Sequence, residues 1–220
     1  MTRTIPLGVL ISGSGSNLQA IIDAIEANRL DAGIQVVISN NADAQGLTRA
    51  RRHGIPAEVL DHRGYPTREA FDQAMIDILE ARGVELVILA GFMRLLSALF
   101  VRRFSNRIMN IHPALLPSFP GLHVQKKALE RGVRFSGCTV HFVNEECDEG
   151  PIIIQAAVPV YPDDTEETLS ARILEQEHRI YPRAIRLYSE GRLRVAGRRV
   201  LVDGLKRDEG LALVQPPVEE

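Results

Sequence analysis

The chain has 220 residues, 45% hydrophobic and 25% charged, with 26 basic against 28 acidic side chains and a net charge of −2. That is the size of one generous globular domain with a sizeable core. The charge balance offers no basic field for nucleic acid, two cysteines are too few for a disulfide framework, and no apolar run approaches the length of a membrane span.

The first segment, "MTRTIPLGVLISGSGSN", has one basic residue and a short apolar run that ends in glycines. It reads as a first strand over 5–12 and not as a signal peptide. With only two cysteines and no disulfide framework, a reducing cytoplasm is the simplest expected compartment. "SNLQAIIDAIEANRL" repeats apolar residues at Leu18, Ile21, Ile22 and Ile25, a helical period. "QVVISN" (35–40) is a second strand, "GLTRARRHG" a short helix stopped by Gly54, and "AEVL" (57–60) a third strand. "TREAFDQAMIDILEARG" (67–83) is an amphipathic helix with Thr67 as cap and Gly83 as stop. "VELVILAG" (84–91) and "RIMNIHP" (107–113) are the fourth and fifth strands. This alternation predicts a Rossmann-like α/β fold with a mostly parallel sheet.

From 135 the pattern changes. "FSGCTVHFV" and "IIIQAAVPV" are strands joined by the acidic turn "NEECDEG" with no helix between them, so they extend the sheet antiparallel. Residues 165–191 read as a long closing helix bent near Pro182, 191–204 as a hairpin, and "VQPPVEE" as a frayed end. The expected division is a catalytic domain over 1–191, with halves of about 1–105 for nucleotide and 106–191 for folate and catalysis, then a hairpin and tail over 192–220.

The turn after the first strand, "SGSGSN" (12–17), lets backbone N–H groups approach a phosphate at a helix start. A dinucleotide fingerprint fails, because Leu18 stands where the third glycine belongs and Asn40 and Asn41 stand where the ribose-binding acid belongs. No Gly-Lys-Ser/Thr follows, so Walker A fails too. The loop suits a single phosphate, or it is only a tight turn. "GFMRLLS" (91–97) follows strand four, where open sheets bind ligands. Met93, Leu95 and Leu96 could wall a flat aromatic ring there, although periodicity alone favours a place in the core.

"NIHPALLPSFPG" (110–121) holds three prolines and can be neither a helix nor a central strand beyond its first residues. Asn110 and His112 lie two apart on the preceding strand and share a face. A lone strand histidine is usually a core residue, but a buried amide beside it is costly unless used. The turn 144–150 carries four acids, Glu145, Glu146, Asp148 and Glu149, and spacing alone singles out none of them.

Five segments, "LISGSGSNLQAII", "LAGFMRLLS", "MNIHPALLPSFPGLH", "GCTVHFVNEECDEGPIIIQ" and "EQEHRIYP", together resemble the glycinamide ribonucleotide formyltransferases, folate-dependent enzymes of purine synthesis. They stand in the family's order and spacing over 5–190. The resemblance implies a catalytic trio of Asn110, His112 and Asp148. It implies a phosphate loop of Gly15, Ser16 and Asn17, with Glu177 on the acceptor's ribose. It places Arg68, Met93, Arg94, Leu95 and Leu96 around the folate together with Asn110, and borders the pterin with Asn144, Glu145, Glu146, Cys147 and Asp148. The formyl donor would be 10-formyltetrahydrofolate and the acceptor the amine of glycinamide ribonucleotide, without metal, membrane or nucleic acid, in a monomer or homodimer. The family often has Asn where this chain has Ser14.

In that chemistry the amine attacks the formyl carbon and negative charge grows on the formyl oxygen. Asn110 and a protonated His112 would each donate a hydrogen bond to it, and Asp148 would support the imidazolium or take the amine's proton through water. The prolines would give these donors a rigid floor, and one Leu-Pro or Phe-Pro bond could be cis. A formylfolate hydrolase would use the same trio with water, but such proteins carry an N-terminal regulatory domain. A transferase acting on initiator tRNA would need a basic C-terminal domain. A non-catalytic nucleotide-binding module would not need the trio, and a serine hydrolase would need a G-x-S-x-G elbow, which is absent.

Overall fold

The computed structural model describes residues 4–204 and Gln215. Its apolar runs form one nine-stranded sheet. Five parallel strands come first: β1 (Ile5–Ile11), β2 (Ala32–Ser39), β3 (Ala57–Val59), β4 (Leu86–Leu89) and β5 (Ile108–His112). Then β6 (Phe135–Phe142) and β7 (Ile152–Pro159) pair antiparallel, and the hairpin of β8 (Leu193–Ala196) and β9 (Arg199–Val202) joins β7 through Ile152 and Arg199. The strand order is 3-2-1-4-5-6-7-9-8. The winding direction therefore reverses between β1 and β4, and the loops that follow these two strands flank the crevice.

Alternation along the strands supplies both faces of the sheet. Leu7, Val9 and Ile11 of β1 pack with Leu86 and Ile88 of β4 in one core. Leu10, Val87 and Leu89 point into the other. The first core is covered by α1 (Ser16–Glu26), α2 (Gln45–Arg52) and α6 (Glu166–Ser189), and the second by α3 (Arg68–Ala81) and α4 (Ala98–Arg103). A smaller cluster joins α5 (Val124–Glu130) to β6, β7 and the start of α6. Each fully buried Leu or Phe side chain in these cores contributes about 2 kcal/mol.

Two helices go beyond the sequence reading. α4 and α5 have 6 and 7 residues, too short for a helical period to show. Thr67 caps α3 as expected, its hydroxyl accepting from the Ala70 N–H at 3.1 Å. α6 runs through Pro182 as one continuous helix, with Tyr181 and Pro182 both buried. The segment read as a frayed end lies outside the described residues apart from Gln215.

Candidate active site

Asn110 and His112 stand on adjacent same-face positions of β5, where in-register pairing sets them opposite His141 and Thr139 of β6. The Asn110 Nδ2 lies 3.2 Å from His141 Nε2. His141 Nδ1 lies 3.0 Å from the Phe142 carbonyl oxygen. Asp148 comes from the turn after β6 and takes a left-handed backbone, φ 57°, which aspartate tolerates better than most residues. Its carboxylate accepts from the Gly121 N–H at 2.9 Å. It sits 3.5 Å from His112 Nδ1 and 3.9 Å from His141 Nε2. His112 and His141 thus stand at one carboxylate, and Asn110 joins the cluster through His141.

His112 is 5% exposed. Its Nε2 lies 2.9 Å from the Phe119 carbonyl oxygen, which a ring N–H donates to. Both ring nitrogens thus face protein groups, Nε2 toward Phe119 and Nδ1 toward Asp148. This departs from the sequence expectation of a His112 N–H free for the substrate oxygen. In this arrangement Nε2 offers the substrate a direct bond only if the Phe119 carbonyl withdraws.

The proline loop is held by hydrogen bonds as well as by its prolines. The Thr139 hydroxyl donates to the Ala114 carbonyl at 2.7 Å and accepts from the Leu116 N–H at 3.0 Å. Gln155 Nε2 donates to the Leu116 carbonyl at 2.8 Å. The Leu116–Pro117 bond is cis.

The glycine loop opens α1 with no side-chain cap, and Gly15 has φ 68°. A Cβ on Gly15 would stand 2.6 Å from the Gly46 Cα, so the glycine is required by close packing against α2. Arg49 of α2 donates to the Ser14 carbonyl at 2.9 Å. An open cavity of about 330 Å³ is lined here by Ser16, Gln19, Arg29, Arg49 and His178. Buried Asn17 donates from Nδ2 to Glu177 Oε2 at 2.7 Å, while its Oδ1 is buried without a partner among the described residues. Burial pushes the Glu177 carboxyl up, and the Asn17 bond opposes that rise.

After β4, Met93 and Leu95 are 67% and 63% exposed. The core reading of this run fails for both. They are uncovered apolar groups at the crevice, as a wall for a flat ring would be. Arg94 is exposed and Leu96 half-buried. The Ser12 hydroxyl ties this loop across the crevice: it accepts from the Met93 N–H at 2.8 Å and donates to Asn40 Oδ1 at 2.6 Å. The far end of the loop is pinned by buried Asp72, which accepts from the Ser97 N–H at 2.6 Å. Arg68 is exposed at the start of α3. In the turn after β6, Asn144 is half-buried, and Glu145, Glu146 and Cys147 are exposed. Glu145 pairs with Arg102 at 2.7 Å. Among the described residues, no group of three or more His, Cys, Asp or Glu is placed to hold a metal ion.

Residues 7–185 match the family model described as "Formyl transferase". Phosphoribosylglycinamide formyltransferase of Escherichia coli (strain K12) is 47% identical over 196 residues, which make up 89% of this chain and 92% of that protein. This chain belongs to the phosphoribosylglycinamide formyltransferase family. A crystal structure of glycinamide ribonucleotide transformylase 1 from Symbiobacterium toebii superposes with a TM-score of 0.89 at 58% identity, covering 90% of this chain and 94% of that one. The trifunctional purine biosynthetic protein adenosine-3 of Drosophila pseudoobscura pseudoobscura is 55% identical over 190 residues, and this chain spans only 14% of its length. A formyltetrahydrofolate deformylase from Pseudomonas syringae is also similar, at 27% identity and a TM-score of 0.84 over 91% of this chain.

Sequence reasoning missed His141, Ser12, Asp72, Arg49 and Thr139. His141 alternates with Thr139 in "TVHFV", which marks a shared strand face. Which strand lies opposite is a matter of register, and the sequence does not give it.

Proposed function

We propose that the chain transfers the formyl group of 10-formyltetrahydrofolate to the amine of glycinamide ribonucleotide. The observation that carries this reading is the convergence of Asn110, His112 and Asp148 beside the crevice. The amine nitrogen bonds to the formyl carbon, and negative charge gathers on the formyl oxygen. The bond from that carbon to N10 then breaks, and N10 receives the proton that the amine gives up. Asn110 donates an N–H to the charged oxygen, a contribution of about a hundredfold or more in rate. Asp148 holds the positive charge of His112 nearby or relays the amine's proton through water.

We assign the acceptor's phosphate to the uncapped start of α1, at Gly15, Ser16 and Asn17, with Arg49 as the neighbouring cation. Glu177 and the unpartnered Asn17 Oδ1 take the ribose hydroxyls. The exposed Met93 and Leu95 would stack on the folate ring, with Arg94, Leu96 and Arg68 around it and residues 144–148 along the pterin edge. The nucleotide and folate halves, about 1–105 and 106–191, are a division of labour, since one sheet runs through both. The two free cysteines support a reducing cytoplasm.

The test is a direct assay with both substrates, following folate absorbance with and without the ribonucleotide. Turnover should require the amine. Equal turnover without it would make the chain a hydrolase, as the deformylase relative is named.

A further inference from the structure

His141 lies outside the trio, yet its two ring contacts restrict what Asn110 can do. The Phe142 carbonyl, 3.0 Å from Nδ1, can only accept, so Nδ1 carries the hydrogen. A neutral ring then leaves Nε2 bare, and a bare Nε2 can only accept. The atom 3.2 Å away must therefore be the amide nitrogen of Asn110 and not its oxygen. The second N–H of that nitrogen remains for another acceptor.

We propose that His141 is a positioning residue which, through its Nδ1–H tautomer, locks the Asn110 amide with its nitrogen available to the reacting oxygen. A flipped amide would present oxygen to oxygen and repel the growing charge. This inference rests on the reading of Asn110 as the donor to that oxygen.

The groups facing His141 are Asn110 on β5, the Asp148 carboxylate 3.9 Å from Nε2, and His112 close by. Burial, the largest influence, pushes the ring's proton affinity down, and His112 pushes the same way. The Phe142 carbonyl and Asp148 oppose it but are outweighed. The ring therefore takes up its second proton at lower pH than an ordinary histidine. Once Nε2 is protonated it must donate, and it then draws the Asn110 oxygen or Asp148 toward itself.

The experiment is a double-mutant cycle on kcat, with His141→Leu, Asn110→Ala and the pair. We expect His141→Leu to lower kcat about tenfold or more, with KM for both substrates within about twofold. In the Asn110→Ala background the same change should add almost nothing. If Asn110→Ala alone leaves kcat intact, the donor reading itself fails. If Asn110→Ala slows the reaction and His141→Leu slows it equally on top, the donor reading stands and the positioning role is overturned. Nitrogen-15 spectra of the unaltered protein give a check independent of variant folding. They should show the neutral Nδ1–H tautomer of His141 at neutral pH, and an Nε2–H tautomer would overturn the proposal.

Discussion

The amide of Asn110 meets an imidazole on one side and the reaction crevice on the other, so truncating it removes a donor without opening the core. Asn110→Ala should cost about 3 kcal/mol of transition-state stabilisation, almost all in kcat, in steady-state assays with melting unchanged. Asp148→Asn keeps an oxygen for the Gly121 N–H but loses the negative charge beside both histidines. Its kcat should fall about tenfold or more, and a normal kcat in a folded variant would remove the carboxylate from the chemistry. Gly15 behaves differently. A valine there meets both a positive φ and the Gly46 backbone, so Gly15→Val should lose about 2 kcal/mol or more of stability, read as a lower melting temperature. The site was partly legible at this scale. Asn110 and His112 stood out because two polar residues share a strand face just before a proline. Asp148 was one acid among four, and only resemblance picked it out.

Among the elements, α6 does the most to hold the site together. It reaches across the sheet with Tyr181, whose buried hydroxyl lies 3.0 Å from the Leu89 carbonyl and 2.9 Å from the Met109 carbonyl. One proton is shared between the end of β4 and the Met109 carbonyl of β5, next to Asn110. Tyr181→Phe should cost about 1 kcal/mol in chemical denaturation. The start of α6 is fixed by Asp164, which pairs with Arg172 at 2.7 Å and accepts from the Tyr161 N–H at 2.8 Å. The Arg172 guanidinium holds that carboxyl well below the usual range. Asp164→Ala should destabilise by about 2 kcal/mol. The strands and long helices were readable because alternation and helical period are local properties. α4 and α5 were not, since a turn or two of helix carries no period.

At the scale of the whole molecule, pH acts on stability through buried histidines. Burial lowers the proton affinity of both His141 and His178. Below an ordinary histidine value of about 6.5, the unfolded chain takes up protons that these folded rings refuse. Their contribution is present above that value and is lost as pH falls through it toward the folded values. Burial raises Glu177 and Asp72, whose cost at neutral pH is relieved as pH falls through their raised values. The histidine share can be isolated with His141→Gln, which does not titrate. Between pH 7.5 and 5.5 its melting temperature should change less than that of the unaltered protein, and equal slopes would discount His141. The fold class was legible because its order of strands and helices is written along the chain. The join between β5 and β6 was not, because it depends on which strands meet in space.

The Ser12 hydroxyl also sets a clock. Met93 lies on a largely uncovered loop, and surface exposure alone would let its amide trade hydrogen with water quickly. Yet that amide is bonded to a hydroxyl anchored on the neighbouring strand ends. In hydrogen-exchange spectra the Met93 amide should therefore lag its neighbour Arg94, and Ser12→Ala should bring the two rates together.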